Sequence, residues 1–217
     1  MIKACIFDMD GVIVDSAKYH FLAWRRLAAE LAIDFTEEEN EGLKGLSRVD
    51  SLEKILLKGE LHLDNDTKVA LMEKKNSWYL EFIKGMQPEE VLPGVREFLE
   101  ELKTNDIRIA LGSSSRNAPR ILEAVGLTSL FDSVIDGNKV TYSKPDPEVF
   151  LLGAKEVGVK PSESVVFEDA QAGVAAGKAG GFYVIGLGEA DVLDQADIVL
   201  PNLENFTLER LQSLMVH

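Results

Sequence analysis

Asp8 and Asp10 stand two residues apart, at the end of an apolar run and directly before Gly11. An apolar run into glycine predicts a buried strand opening into a loop. Side chains at i and i+2 of a strand point to the same side, so the two carboxylates can converge on one point as the strand ends. Convergent carboxylates can hold a hard cation, attack an electrophile or exchange protons. Asp and Gly are also ordinary turn residues, so the pair gains meaning from what the chain places beside it.

Residues 3–8 (KACIFD) read as a strand, and residues 16–32 as a helix with Ser16 at its N-cap. Phe21, Trp24, Leu27, Ala28 and Leu31 supply the apolar helical period. Residues 35–85 stay helical in composition and show no convincing strand. Pro88 and Pro93-Gly94 punctuate the chain. Helix 95–103, strand 107–113, helix 117–125, strand 133–136, helix 147–157, strand 164–169, helix 171–179 and strands 182–187 and 197–200 then follow. Such alternation predicts an α/β, Rossmann-like parallel sheet with helices on both faces. Residues 15–87 read as a helical domain inserted after the first strand, with residues 1–14 and 88–217 forming the sheet domain.

Open parallel sheets bind ligands at the carboxyl ends of their strands. Beyond those ends stand Asp8 and Asp10, then Ser113, Ser114 and Ser115, then Lys144 in a loop, then Glu168 and Asp169. Four carboxylates, a hydroxyl and a lysine suit phosphoryl transfer. An attacking carboxylate must meet an anionic phosphoryl group, and Mg²⁺ held by oxygen ligands screens the repulsion. Lysine adds a point charge, and hydroxyl and N–H donors bind the remaining oxygens. Singly, Ser113 could cap the next helix, Lys144 could be a solvated loop lysine, and Glu168-Asp169 could begin a polar loop. Gly173-Val174-Ala175-Ala176-Gly177-Lys178-Ala179 is not a phosphate-binding P-loop. It has one residue too few between the glycines, and alanine stands where a metal-binding hydroxyl is required. Its small residues suit close helix–sheet packing. His62 and His217 read as surface residues, and His20 is open between a site and a structural role.

At 217 residues, 46% hydrophobic and 28% charged, the composition is that of a globular protein with a real core. Lys and Arg number 23 against 37 Asp and Glu, a net charge of −14. That balance argues against nucleic acid and anionic membranes as partners. A phosphorylated substrate would need a local cluster of Lys and Arg. The single cysteine, Cys5, excludes an intrachain disulfide and reads as a buried thiol. Neither a signal-peptide segment nor a membrane-length apolar run is apparent, so the expectation is a cytoplasmic enzyme.

The motifs Asp8-Met9-Asp10-Gly11-Val12, Ser113 after a strand, Lys144 within Ser-Lys-Pro-Asp-Pro, and Phe167-Glu168-Asp169 resemble, in order, those of the haloacid dehalogenase superfamily. The inserted helices lie where that family carries a small cap. A closer likeness, to the sugar-phosphate mutases of the family, runs through Asp15–His20, Trp24, Leu43–Arg48, Ser51-Leu52, Lys75-Asn76 and Ser113–Asn117. Ser16 stands where threonine is usual, and Arg116 where lysine is. The resemblance implies interconversion of β-D-glucose 1-phosphate and glucose 6-phosphate by a monomer, with a sugar-phosphate phosphatase as the alternative. It implies Asp8 as nucleophile, Asp10 as general acid/base, and Ser113 and Lys144 holding the transferring phosphoryl group. Mg²⁺ would sit on the Asp8 and Asp169 carboxylates and the Asp10 carbonyl, with Glu168 binding it directly or through water. Arg48, Ser115, Arg116 and Asn117 would hold the distal phosphate. His20, Trp24, Gly45, Ser51 and Lys75 would complete the substrate pocket. A signalling receiver domain also pairs acidic residues with a hydroxyl and a lysine, but it carries no helical insertion of this length.

Overall fold

The computed structural model describes residues 2–215, so His217 lies outside the described residues. Six strands form one parallel sheet: β1 (Ala4–Phe7), β2 (Arg108–Gly112), β3 (Ser133–Ile135), β4 (Ser164–Glu168), β5 (Tyr183–Leu187) and β6 (Ile198–Leu200). Their order is β3-β2-β1-β4-β5-β6. The chain builds outward from β1 to β3, then returns to lay β4 on the other side of β1. That reversal creates a crevice at the carboxyl ends of β1, β2 and β4. Asp8 follows β1, Ser113 follows β2, and Glu168 ends β4, so the topology delivers three separate motifs to one edge.

Alternation along the central strands feeds two cores. Cys5 and Phe7 of β1 join one core with Val165 and Phe167 of β4, while Ile6 and Val166 join the other. In the first, Phe7 stacks on Phe167 with ring centroids 4.6 Å apart, and Phe98 of α5 (Val95–Thr104) meets both edge-on. The second is covered by α7 (Glu148–Glu156) and α8 (Gln171–Ala179). A Cβ on Gly177 would come within 2.7 Å of a Val184 methyl, so the small residues of α8 do let helix and sheet approach closely. Cys5 is fully buried, and that burial pushes its thiol pKa up and keeps it inert.

Between β1 and β2 the described chain is helical: α1 (Ala17–Glu30), α2 (Glu37–Glu41), α3 (Arg48–Lys58) and α4 (Asn65–Ile83). Thr36 and Glu39 form a capping box at α2, Ser47 caps α3 and Asp64 caps α4. Ser16 holds the N-cap position of α1, where the sequence places it. Its side chain makes no capping bond; its hydroxyl donates instead to the Asp10 carboxylate. The two connections to the sheet lie against each other, with Val14 bridging Val91 and the Leu92 N–H donating to the Ile13 carbonyl at 2.9 Å. Between β2 and β3 lies α6 (Ala118–Ala124). A last helix, α9 (Leu208–Leu214), is one that the sequence reading did not place.

Candidate active site

The geometry at the sheet edge starts with Lys144. Its side chain is wholly buried, and its ammonium donates at 2.6 Å to both Asp8 Oδ1 and Glu168 Oε1. Burial opposes that charge, but the two carboxylates override it and raise the lysine pKa. Asp8 also accepts the Asp10 backbone N–H at 3.0 Å, and Glu168 accepts the Ala170 N–H at 2.8 Å. Gly11 adopts φ +84°, and a Cβ there would stand 2.1 Å from an Asp169 oxygen. A Cβ on Gly173 would stand 1.7 Å from Glu168 Oε1. Glycine is required at both positions for the backbone to pass so close to the acids.

Oxygens of Asp8, Glu168 and Asp169 lie within 4.8 Å of one another. Burial, then repulsion from Asp8, pushes the Asp10 carboxyl up to about 6. Burial and the Asp8 charge also push Glu168 up to about 7, against the pull of Lys144. Asp169 is raised well above the usual carboxylate range by burial, Glu168 and Asp8. These acids carry more negative charge than Lys144 and the nearby Lys44, 3.6 Å from Asp169, can balance. Close-set oxygen donors with excess negative charge fit Mg²⁺. The Asp10 carboxylate stands outside this trio and turns toward Ser16.

A cavity of about 610 Å³ opens over Asp8, Asp10 and Lys144. His20, Trp24, Gly45, Arg48 and Ser51 line it from the helical insertion, together with Lys75. Ser115, Arg116 and Asn117 line it from the loop after β2. Arg48 Nη2 and Asn117 Nδ2 both donate to Asn76 Oδ1, at 2.8 and 2.9 Å, joining insertion to sheet domain. Burial and the neighbouring Arg116 lower the Arg48 pKa, the signature of cations gathered without an anion. Lys75 is buried over the rings of Trp24 and Tyr79, 4.4 and 4.9 Å from their centroids, with its ammonium 3.0 Å from His20 Nδ1. Burial, then Arg48, holds its pKa well below the ordinary lysine value. The cavity thus offers a carboxylate cluster and a cation cluster to one ligand, as an anionic substrate attacked by a carboxylate requires.

A profile of the haloacid dehalogenase-like hydrolases matches residues 2–181. The chain belongs to that family. It is 43% identical over 211 residues to the β-phosphoglucomutase of Bacillus subtilis, covering 96% of this chain and 93% of that one. It is 36% identical to the phosphorylated carbohydrates phosphatase of Thermotoga maritima, over 82% of each chain. Its fold superposes on the crystal structure of a β-phosphoglucomutase from Clostridium difficile with a TM-score of 0.96 and 38% identity, covering 99% of this chain and 97% of that one.

In this haloacid dehalogenase-like chain, most residues singled out from the sequence meet at the cavity, and three sit behind it. Glu168 and Asp169 stand beneath Asp8 in the acidic cluster rather than in the cavity lining. Ser113 is fully buried, and its hydroxyl accepts the Ser115 N–H at 3.0 Å instead of capping α6. Ser51 lines the cavity, but its hydroxyl donates to the Ser47 carbonyl at 2.8 Å. His62 is exposed, whereas His20 faces the site, with Nε2 3.9 Å from Asp10 Oδ1. Sequence reasoning assigned no role to Lys44, Asn76, Ser114 or Asp50. Ser114 donates to the Gly45 carbonyl at 2.8 Å across 69 residues. Contacts between residues so far apart have no local signature.

Proposed function

We propose that this chain interconverts β-D-glucose 1-phosphate and glucose 6-phosphate with Mg²⁺, through an aspartyl-phosphate and a β-glucose 1,6-bisphosphate intermediate. The observation that carries the reading is the pairing, in one cavity, of the Asp8 cluster with the Arg48–Asn76–Asn117 cluster. A ligand with two phosphates can engage both. The likeness to named β-phosphoglucomutases at 43% and 38% identity supports the same assignment.

In this reading an Asp8 oxygen attacks the phosphorus, and the bond from phosphorus to the sugar oxygen breaks. Asp10, raised toward neutrality, protonates that leaving oxygen and in the reverse direction takes the proton from the incoming hydroxyl. Lys144 and Ser113 hold the transferring oxygens, while Arg48, Ser115, Arg116 and Asn117 hold the distal phosphate. His20, Trp24, Gly45, Ser51 and Lys75 position the sugar. Mg²⁺ on Asp8, Glu168, Asp169 and the Asp10 carbonyl would supply the charge that lets carboxylate and phosphate meet. Residues 15–87 act as a cap on the domain formed by 1–14 and 88–217, hinged at 14–16 and 86–93, and closure excludes water from the aspartyl-phosphate. One chain supplies every group, so a monomer suffices. Among the described residues no helix is long and apolar enough to cross a membrane, and the cytoplasm is the compartment proposed.

The test follows β-glucose 1-phosphate with Mg²⁺ and a trace of the bisphosphate, measuring glucose 6-phosphate and free phosphate together. Glucose 6-phosphate in large excess is expected. Free phosphate equal to the substrate consumed would make the chain a sugar-phosphate phosphatase instead.

A further inference from the structure

Asp50 lines the cavity, but none of the chemistry above uses it. It lies in the first turn of α3, and its Oδ2 accepts two hydroxyls. One is from Ser47, the residue before Arg48. The other is from Ser143, the residue before Lys144, at 2.7 Å and 93 residues away. One carboxylate oxygen therefore ties the neighbour of the cap arginine to the neighbour of the buried lysine. Val49 and Tyr142, adjacent to this pair on either side, both line the cavity and are 46% and 64% exposed. A polar clasp thus sits beside two apolar side chains at the cavity margin.

We propose that Asp50 is a positioning residue that holds the cap closed on the sheet domain through Ser143, and so limits loss of the phosphoryl group to water. This rests on the mutase reading given above. A carboxylate beside a phosphate cavity opposes ligand binding by like-charge repulsion. Its bonds to both hydroxyls are charge-assisted, and the one from Ser143, which crosses the cleft, offsets that cost only when the cap is shut. Cap and sheet domain also meet at Ser114–Gly45 and Asn117–Asn76, so loss of the clasp should loosen closure without abolishing it.

The decisive quantity is free phosphate released per glucose 6-phosphate formed. Ser143→Ala removes only the bond across the cleft, and Asp50→Ala removes both bonds. Each should raise the ratio about tenfold, the equilibrium weight of one hydrogen bond to a charged group. The double variant should go no further, because the two changes break the same link. Asp50→Asn should raise the ratio by an intermediate amount, about threefold, since its amide oxygen still accepts both hydroxyls but without the charge that strengthens the bonds. A ratio unchanged in Ser143→Ala, or effects that multiply in the double variant, would overturn the proposal. Amide hydrogen exchange without substrate provides an arm independent of the reaction. Ser143→Ala should speed exchange at residues 45–47 as well as in its own loop. Acceleration confined to its own loop would refute the clasp even if the mutase reading stands. If the parent makes no glucose 6-phosphate, the mutase reading fails and the exchange result still decides the clasp.

Discussion

The ammonium of Lys144 lies 2.6 Å from the Asp8 carboxylate, across 136 residues of chain. The same nitrogen reaches Glu168 at the same distance. A buried cation that neutralises two acids serves the resting fold and the proposed reaction with one contact.

Lys144→Ala should therefore fail twice. Turnover should fall by about 10² or more, as when a donor to developing charge is lost. The metal-free protein should also lose about 3–5 kcal/mol of stability, because Asp8 and Glu168 are left buried without their counter-charge. Denaturant unfolding in EDTA measures the second effect. Unaltered stability there would mean that the acids take up protons at little cost once the lysine is gone.

Asp10 should matter only where a proton must move. Asp10→Ala should cost roughly 10²–10⁴ in rate with sugar phosphates. With acetyl phosphate, whose leaving group needs no proton, the loss should be far smaller. Equal losses on both substrates would assign Asp10 to holding structure or metal.

Mg²⁺ affinity should fall as pH drops through 7. In the metal-free protein Glu168 titrates at about 7, raised by burial and by Asp8. The cation binds the charged carboxylates, so protons compete with it increasingly below that value. Titration calorimetry should give affinity at pH 6 about tenfold weaker than at pH 8. A pH-independent affinity would contradict a cation site built on these acids.

Arg48 separates transfer between two sugar positions from simple hydrolysis. Arg48→Ala should reduce mutase turnover by about 10² or more through lost positioning. Slow hydrolysis of acetyl phosphate, which lacks a second phosphate, should persist. If both activities fall together, Arg48 serves cap folding; if neither falls, the distal phosphate is held elsewhere.

Much of the fold was legible because its signals are local. The alternation of strand and helix after residue 88 and the helical composition of 35–85 are built from signals local to each element, and apart from α9 the helices and strands stand where those patterns place them. Asp8 and Asp10 declare themselves by an i, i+2 spacing that a strand end converts directly into convergence.

By itself the sequence determined which residue types lie at the strand ends, and so that a carboxylate-rich edge would form. Only the tertiary structure decided how those residues are used. The order with β1 between β2 and β4 brings Lys144 onto Asp8 and Glu168. The packing of the insertion sets Asn76 against Asn117, 41 residues away, and Asp50 against Ser143. It also draws the Ser16 hydroxyl from its helix end to Asp10. A local pattern constrains backbone conformation over a few residues, whereas a polar side chain is committed by whichever buried charge finally lies nearest. That neighbour exists only once sheet and insertion have packed together.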